Sequence, residues 1–415
     1  MSREAPLGLF QGFGIELEYM IVDRESLAVR PLADALIAAE VGRPEAEIER
    51  GAMAWSNELA RHVIELKTHG PAPSLAGLAA AFQDEVRHAD TLLAPLGARL
   101  MPTAMHPTMD PTREFERWPH EHGEVYSAFD RIFDCTGHGW SNLQSVHLNL
   151  PFAGDDEFGR LHAAVRALLP ALPALAASSP LREGRVTGLL DTRLAVYRDN
   201  ARRVPSVTGL VIPEPVFTRE AYQREILDPI YADLAPLDPE GALRFEWVNA
   251  RGAIARFDRS ALEIRVLDVQ ECPAADLAIA ALVVAVLRDL TSARGARAEA
   301  LRKLDTRALA RGLEAAAARG DAARVEDPAW AEALDLPDGG LDLGEVWRRL
   351  AARHLAAAPP PPELEEPLAV ILEEGPLARR ILSRLGADTS PEHVHHVYGE
   401  LCSCLAEGRS LRGRA

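Results

Sequence analysis

A strict alternation of apolar with acidic or small residues runs through Phe13-Gly14-Ile15-Glu16-Leu17-Glu18-Tyr19, close to the start of the 415-residue chain. Because successive side chains of a β-strand point to opposite faces, this pattern predicts a strand over residues 12–23, with apolar side chains on one face and Glu16 and Glu18 on the other. The two carboxylates then lie about 6–7 Å apart along the strand. They repel each other unless a cation relieves the repulsion. The segment therefore predicts a sheet with an acidic, cation-binding face.

Two later segments alternate in the same way, and each adds a group that binds cations or anions. The polar residues of Ser145–Leu150 include His147, and those of Leu262–Val266 are Glu263 and Arg265. A lone strand histidine is usually a hydrogen-bonded core residue, and a Glu–Arg pair can be a simple ion pair. Their occurrence beside other acidic strands favours a functional interpretation instead.

A fourth segment, Asn57–Leu66, contributes Glu58 and Glu65. Because these two residues are seven positions apart, one ideal strand would place them on opposite faces. We therefore expect Glu58 to precede the strand or to follow a bend, while Glu65 lies within the strand.

The combined face carries five glutamates, one histidine and one arginine. Sheet faces that contact water usually mix Thr, Ser, Lys and Arg, and such a solvated face is the alternative interpretation. Oxygen ligands with one imidazole suit hard divalent cations, and an arginine can clamp a phosphoryl group. We therefore predict a metal and phosphate site, and its candidate residues are Glu16, Glu18, Glu58, Glu65, His147, Glu263 and Arg265.

The composition limits the classes of partner. An apolar content of 47% with 26% charged residues is ordinary for a soluble globular enzyme. A formal net charge of −17 argues against nucleic acid or anionic membrane as a partner. The N-terminal residues show no signal-peptide pattern, and the four cysteines are too scattered for a disulfide framework. We expect a cytoplasmic protein that binds small molecules, and the sequence leaves a homo-oligomer open.

Several familiar signatures of nucleotide and metal sites are absent from the sequence. Neither lysine of the chain, Lys67 or Lys303, follows a glycine-rich phosphate-binding loop, which excludes a P-loop. No GxGxxG motif opens a helix, and there is no HExxH motif. We interpret His393, His395 and His396 as a solvated cluster on a C-terminal helix rather than a metal site.

The order of the predicted elements indicates an α+β protein with a mostly antiparallel sheet, whose functional face lies opposite a layer of helices. After residue 300 the chain becomes a series of Ala-, Leu- and Arg-rich helices, with a proline-rich linker at 359–362. We therefore predict a catalytic domain over residues 1–300 and a helical extension over residues 301–415. The predicted helices include 31–41, 74–94, 124–133, 155–179, 219–233, 273–293, 364–386 and 390–407.

Four motifs, in this order, resemble the glutamate–cysteine ligase type 2 (carboxylate–amine ligase) family. They are Gly14-Ile15-Glu16-Leu17-Glu18, Val63-Ile64-Glu65-Leu66-Lys67-Thr68, Val146-His147-Leu148-Asn149 and Leu262-Glu263-Ile264-Arg265-Val266-Leu267-Asp268. The resemblance covers roughly residues 10–295. It implies the catalytic fold of glutamine synthetase and the use of ATP with Mg²⁺, for which Mn²⁺ can substitute.

The resemblance also implies roles for individual residues. Arg265 would act with Glu263 in catalysis by contacting the transferred phosphoryl group, and Gln144 is assigned with Arg265 to the nucleotide. The implied metal ligands are Glu18, Glu58 and Glu65 for an Mg²⁺ near the substrate, and Glu16, His147 and Glu263 for a second Mg²⁺ that bridges the ATP phosphates.

A segment at 191–209 resembles the Ser-Tyr-Arg…Trp…Pro…Thr-Gly region with which the family binds substrate. This chain departs from that pattern, because Asp191-Thr192 replaces Ser-Tyr and Tyr197 replaces the common tryptophan. Val146-His147-Leu148-Asn149 likewise stands where His-Val-His-Val is more usual. The implied substrate-binding residues are Arg193, Tyr197, Arg198 and Asn149.

The implied reaction joins glutamate to cysteine, as in glutathione biosynthesis. The γ-carboxylate of glutamate attacks the γ-phosphoryl group of ATP, and the acyl phosphate reacts with the amine of cysteine. No protein nucleophile is needed, in agreement with the lack of a Ser-His-Asp or Cys-His pattern. Three alternatives stay open: a ligase that joins glutamate or another carboxylate to a different amine, a metal-dependent hydrolase, and a non-catalytic protein of the same fold.

Overall fold

One antiparallel sheet organises the fold. The computed structural model describes residues 6–337, 340–356 and 358–414. Its strands are β1 (Gly14–Asp23), β2 (Glu47–Arg50), β3 (Met53–Asn57), β4 (Val63–Thr68), β5 (Ala98–Met101), β6 (Ser145–Pro151), β7 (Leu181–Arg182), β8 (Arg185–Val186), β9 (Ala253–Arg256) and β10 (Ala261–Asp268). The main sheet has the order β2-β3-β4-β1-β6-β10-β9, with β5 paired to the C-terminal half of β1, while β7 and β8 form a separate hairpin.

The strand register gives the sheet one apolar and one polar face. Leu17 lies opposite Leu66 of β4 and Val146 of β6, and Ile15 lies opposite Leu148. These side chains are buried in the main hydrophobic core. The alternation seen in the sequence therefore corresponds to burial on one face, and the predicted combination of helices with an antiparallel sheet is confirmed.

Helices lie on both sides of the sheet. In chain order they are α1 (Ala33–Val41), α2 (Leu78–Leu93), α3 (Pro111–Glu114), α4 (Gly123–Phe133), α5 (His138–Ser141), α6 (Gly154–Leu168), α7 (Pro173–Ala176), α8 (Thr192–Asp199), α9 (Arg219–Tyr222), α10 (Asp228–Leu234), α11 (Pro273–Ser292), α12 (Gly295–Lys303), α13 (Thr306–Arg319), α14 (Pro328–Ala333), α15 (Leu343–Leu355), α16 (Glu365–Glu374), α17 (Leu377–Leu385) and α18 (Pro391–Glu407). α2 and α6 contact the sheet, and the apolar α11 packs on both. Among the described residues, no helix has the length and apolar character to cross a membrane.

The helices after residue 300 pack on the same body. α15 and α16 contact α11, and α13 contacts α7. α17 and α18 form a second apolar cluster with Met20, Val22 and Met101 of the sheet. Arg380 of α17 is buried and pairs with Glu271, just after β10. The division into residues 1–300 and 301–415 stays a prediction.

Several parts of the structure differ from the expected elements. The predicted helix 155–179 is interrupted after Leu168, and the hairpin of β7 and β8 was not predicted. The predicted helix 364–386 is divided into α16 and α17 by Gly375 and Pro376. Gly375 has a φ of +84°, a left-handed conformation that glycine adopts readily at helix ends, and a proline after it cannot continue the helix. The strands β2 and β3 were not predicted, because each is short and β2 is mostly charged.

Candidate active site

The polar face of the sheet brings the predicted acids and histidine together. Glu16 lies opposite His147 on one side and Lys67 on the other, and Glu18 lies opposite Glu65. Directly opposed residues of an antiparallel pair share a face and stand about 4.5–5.5 Å apart at Cβ. The sheet register therefore assembles a charged surface from segments that are distant in sequence.

Glu58 reaches this surface from a turn. β3 ends at Asn57 and β4 begins at Val63, so Glu58 precedes the strand, as its spacing from Glu65 predicted. The Asn57 side chain donates to the Glu58 carbonyl oxygen at 3.1 Å and to the Tyr126 hydroxyl at 3.0 Å. One carboxylate oxygen from each of three residues, called the Glu58 cluster here, lies within 4.8 Å of the other two: Glu18, Glu58 and Glu65.

A second group, called the His147 cluster, consists of His147, Glu16 and Glu263. His147 Nδ1 is 2.7 Å from Glu16 Oε2 and 3.9 Å from Glu263 Oε1. Its Nε2 is 3.0 Å from the Ser145 hydroxyl, and Asn149 donates its amide to Glu16 at 3.0 Å. Both imidazole nitrogens therefore already have partners, and ligation of a metal by His147 requires one of these contacts to be exchanged.

Two arginines hold the Glu263 carboxylate. Arg265 donates to it through Nε at 2.9 Å and also through Nη2, and Arg256 Nη1 is 3.4 Å from the other carboxylate oxygen. Burial would raise the pKa of Glu263, but the Arg265 and His147 charges lower it. Glu263 is therefore a charge-compensated carboxylate that fixes the Arg265 guanidinium at the cleft.

The pKa values of Glu58 and Glu65 are raised, whereas the pKa of Glu16 is lowered. Burial raises the pKa of Glu58 well above its usual value, and the charges of Glu18 and Glu65 add to this effect. Burial and the Glu16 charge raise the pKa of Glu65 to about 7. Burial would also raise the pKa of Glu16, but the hydrogen bond and charge of His147 lower it to about 2. The Glu58 cluster is thus the part of the face that most lacks positive charge.

The charged face forms the floor of a cleft of about 520 Å³. A second cavity of about 480 Å³ adjoins it beside Glu16 and Asn149. Glu47, Lys67 and Arg259 line both cavities. The arrangement can hold two ligands that meet over the sheet.

One wall of the larger cavity is aromatic. Tyr126, Phe129, Trp140 and Trp247 line it, and the rings of Phe129 and Trp140 lie 5.0 Å apart between centroids. Trp140 donates its indole N–H to the Asn200 carbonyl oxygen at 3.0 Å, which fixes the ring. This wall faces the Glu58 cluster and provides apolar contact area for a substrate.

The predicted substrate residues of α8 point in two directions. Arg193 and Tyr197 are four positions apart on one helix face, and both line the cleft. Arg198 lies about 100° further round the helix. It pairs instead with Asp199 and with Glu314 of α13, so the structure does not bring it to the cleft.

Gln144, which was assigned to the nucleotide, is fully buried and is absent from the residues that line the two cavities beside the sheet. It directly precedes Ser145, whose side chain faces the polar side of the sheet, so alternation turns Gln144 to the other side. The structure therefore does not bring Gln144 to either of these cavities, and its assignment to the nucleotide stays a prediction.

Sequence reasoning missed three basic residues of the cleft. Lys67 Nζ lies 2.7 Å from Glu47 and 3.1 Å from Glu65. Its position two residues after Glu65 on the same strand was a usable signal. Arg256 and Arg259 gave no such signal, because arginine is abundant throughout this chain.

Comparisons with known proteins agree with the motif resemblance. The sequence model of the glutamate–cysteine ligase family 2 matches residues 12–400 and so extends well beyond the four motifs. An uncharacterized protein of Archaeoglobus fulgidus is 39% identical over 276 residues, which is 66% of this chain and 73% of the relative. A protein of Jannaschia sp. (strain CCS1), whose name assigns it provisionally to glutamate–cysteine ligase 2, is 28% identical over 68% of this chain and 67% of its own length.

Two solved structures share the fold at low sequence identity. The glutamate–cysteine ligase of Francisella tularensis in complex with AMP has a TM-score of 0.61 and 14% identity, with 94% of this chain and 88% of that chain covered. A bifunctional glutathione synthetase of Pasteurella multocida has a TM-score of 0.58 and 16% identity. Its match covers 95% of this chain but only 53% of the bifunctional protein.

Proposed function

This chain belongs to the glutamate–cysteine ligase family 2, and from that membership and the geometry of the cleft we propose that it is an ATP- and Mg²⁺-dependent carboxylate–amine ligase. The proposed catalytic fold is that of glutamine synthetase. The observation that carries the proposal is the Glu58 cluster, whose three carboxylates converge on the same face as the Arg265 guanidinium. Burial and the charges of the other two carboxylates raise the pKa of Glu58. Such a face suits a substrate that brings phosphate and metal together.

The chemistry of the donors fits divalent cations. Glu18, Glu58 and Glu65 would hold one Mg²⁺. Glu16, His147 and Glu263 would hold a second, as the motif resemblance implies and as their mutual contacts allow, since carboxylate oxygens are the preferred ligands of hard cations. Bound Mg²⁺ would neutralise charge on the phosphates of the nucleotide. Within the protein, Asn57 sets the position of Glu58, and Asn149 and His147 orient Glu16.

The proposed reaction has two steps. An oxygen of the substrate carboxylate, expected to be the γ-carboxylate of glutamate, forms a bond to the γ-phosphorus of ATP while the bond to ADP breaks. The amine then attacks the acyl carbon, loses a proton, and the bond to phosphate breaks to leave an amide. Arg265, held by Glu263, would stabilise the charge on the transferred phosphoryl group through its planar fork of donors.

We propose cysteine as the amine, by analogy with the names of the relatives. A second candidate is an amine with a large apolar or aromatic side chain. The aromatic wall of Tyr126, Phe129, Trp140 and Trp247 favours it, because this wall offers more apolar contact area than a thiol side chain uses.

A panel assay tests both candidates. Purified protein is incubated with ATP and Mg²⁺, and ADP release is measured with carboxylates and amines singly and in pairs. The proposal expects release that depends on a carboxylate–amine pair, with cysteine preferred in the first case and an aromatic or branched amine in the second. ADP release that needs no amine, or product formation without ATP, would contradict the ligase.

A further inference from the structure

An extra residue interrupts the pairing of β10 with β6 at Arg265. Ile264 of β10 lies opposite Leu148 of β6, whereas Leu267 lies opposite Val146. Two β10 residues, Arg265 and Val266, therefore stand where β6 has only one, which is a β-bulge. Bulges re-aim side chains and occur often beside active sites.

The bulge also changes the face on which Asp268 lies. Without an extra residue, the alternation from Glu263 and Arg265 would place Asp268 on the apolar face. In the structure, Val266 and Leu267 are both buried, and Asp268 lies opposite Ser145, whose hydroxyl contacts His147 on the polar face. Asp268 and Arg265 thus share a side of the sheet only because the bulge is present.

Arg193 joins the two sides of the bulge. Its Nη2 donates to the carbonyl oxygen of Arg265 at 2.8 Å, and its Nη1 is 3.3 Å from Asp268 Oδ1. Arg193 is 2% exposed and Asp268 is fully buried. The buried guanidinium of Arg193 therefore connects the two ends of the bulged segment 265–268, and this connection is called the bracket below.

Further hydrogen bonds fix the bracket to its surroundings. Asp268 Oδ2 accepts from the Ser178 backbone N–H at 2.8 Å and from the Ser179 hydroxyl at 2.9 Å. The Ser179 hydroxyl in turn accepts from the Arg193 backbone N–H at 3.1 Å. On the opposite edge, the Arg265 N–H donates to the Gly252 carbonyl oxygen at 3.0 Å. The Arg265 backbone is thus held from both edges.

We propose that Arg193 and Asp268 are positioning residues that hold the β10 bulge and so aim the Arg265 guanidinium at the transferred phosphoryl group. This inference rests on the proposed function and replaces the expectation that Arg193 binds substrate directly. The guanidinium of Arg193 donates hydrogen bonds to the strand that carries Arg265. A displacement of about 1 Å at a reacting group can cost on the order of 100-fold in rate.

A double-mutant cycle between Arg193→Lys and Arg265→Lys tests the proposal in the full chain with ATP, Mg²⁺ and the best substrate pair. Lysine keeps the charge but cannot bridge two acceptors with a planar fork. Arg193→Lys should lower kcat by about 10- to 100-fold and leave the KM values within about twofold. In the Arg265→Lys background the same change should cost less than about threefold, because the group it positions is already gone.

Equal fold-losses in both backgrounds, or a loss confined to KM for one substrate, would overturn the proposal, since substrate contact by Arg193 predicts those results. Arg166→Lys is the matched control: Arg166 is also fully buried and donates to carbonyl oxygens, those of Pro213 and Leu304, away from the cleft. It should not couple to Arg265→Lys. Ser179→Ala, a milder change in the same network, gives the cycle a second variant if Arg193→Lys does not fold.

A measurement without turnover separates this proposal from the proposed function. Amide hydrogen exchange in the peptide that covers residues 261–268 should accelerate in Arg193→Lys and Asp268→Asn but not in Arg166→Lys. If the wild-type protein shows no ligase activity but exchange is faster in Arg193→Lys and Asp268→Asn, the proposed function is wrong and the positioning role of Arg193 and Asp268 is supported. Unchanged exchange in both variants would overturn the bracket, whatever the activity.

Discussion

The two acidic clusters of the cleft differ in how their charge is balanced. In the His147 cluster the protein supplies its own cations, because His147 lies against Glu16, while Arg265 and Arg256 hold Glu263. In the Glu58 cluster, Glu65 pairs with Lys67 at 3.1 Å. Among the residues that the structure describes, Glu18 has one ion-pair partner, His147 at 3.8 Å, and Glu58 has none.

This difference separates two tasks on one sheet face. In the compensated cluster the ion pairs form within the protein itself, so Glu263 can orient Arg265 before any ligand binds. A cluster of buried carboxylates with little compensation is costly until a cation arrives. We infer that the Glu58 cluster depends more strongly on a divalent ion, and the following predictions test that contrast from the largest effect to the smallest.

Removal of divalent ions should have the largest effect. Excess chelator should reduce ADP release to background, because the Glu58 cluster loses its counter-charge, and added Mg²⁺ or Mn²⁺ should restore it. Assays at a series of free Mg²⁺ concentrations measure this dependence. Full activity in excess chelator would contradict the metal site.

Arg265→Lys should be the most damaging substitution on the compensated side. Lysine keeps the charge but loses the planar fork, so kcat should fall by about 100-fold or more while ATP binding changes little. Arg256→Lys is the matched comparison, because Arg256 contacts the same carboxylate at the longer distance of 3.4 Å. Its loss should be clearly smaller. Near-normal turnover in folded Arg265→Lys would show that Arg265 only forms a structural ion pair with Glu263.

Glu58→Gln and Glu263→Gln should separate the clusters by their kinetics. Glu58→Gln should raise the Mg²⁺ concentration for half-maximal activity by about tenfold or more, because it removes a direct ligand. Glu263→Gln should raise this concentration less, because the protein's own cations already balance its cluster, and should mainly lower kcat, since it releases Arg265. The same rise in Mg²⁺ requirement for both variants would show that the clusters do not divide the work in this way.

The smallest effect concerns stability without metal. Burial, Glu18 and Glu65 raise the pKa of Glu58, so its ionisation destabilises the metal-free fold as the pH rises. Glu58→Gln removes this ionisation, and the metal-free variant should gain on the order of 1 kcal/mol in free energy of unfolding relative to wild type at alkaline pH, with a smaller gain at acidic pH. Denaturant unfolding in chelator measures the gain, and added Mg²⁺ should stabilise wild type more than the variant. A less stable metal-free variant would contradict the proposed repulsion.

The cleft floor could be predicted from the sequence because strand alternation is local. The two-residue period of a strand predicts that the side chains of Glu16, Glu18 and His147 lie on the polar face. The spacing of seven residues between Glu58 and Glu65 already indicated that Glu58 precedes the strand or follows a bend. The motif resemblance gave the family, which the family match confirms.

Features that depend on tertiary contacts could not be predicted in this way. The β10 bulge leaves no mark in the alternation up to Val266, and only its pairing with β6 shows the extra residue. Arg198 was assigned to the substrate with Arg193 from the motif resemblance, although helix geometry turns it towards Glu314. The aromatic wall draws on α4, α5 and a loop before β9, and these segments share no sequence pattern.

Transfer of oxygen from the carboxylate to phosphate tests the central claim most directly. The substrate carboxylate of the active pair is labelled with ¹⁸O, and the phosphate released during turnover with ATP is analysed by mass. Attack of the carboxylate on the γ-phosphoryl group predicts one labelled oxygen in each phosphate released. Unlabelled phosphate from the labelled carboxylate, with label appearing instead when the water carries ¹⁸O, would contradict a ligase and indicate hydrolysis of ATP by water.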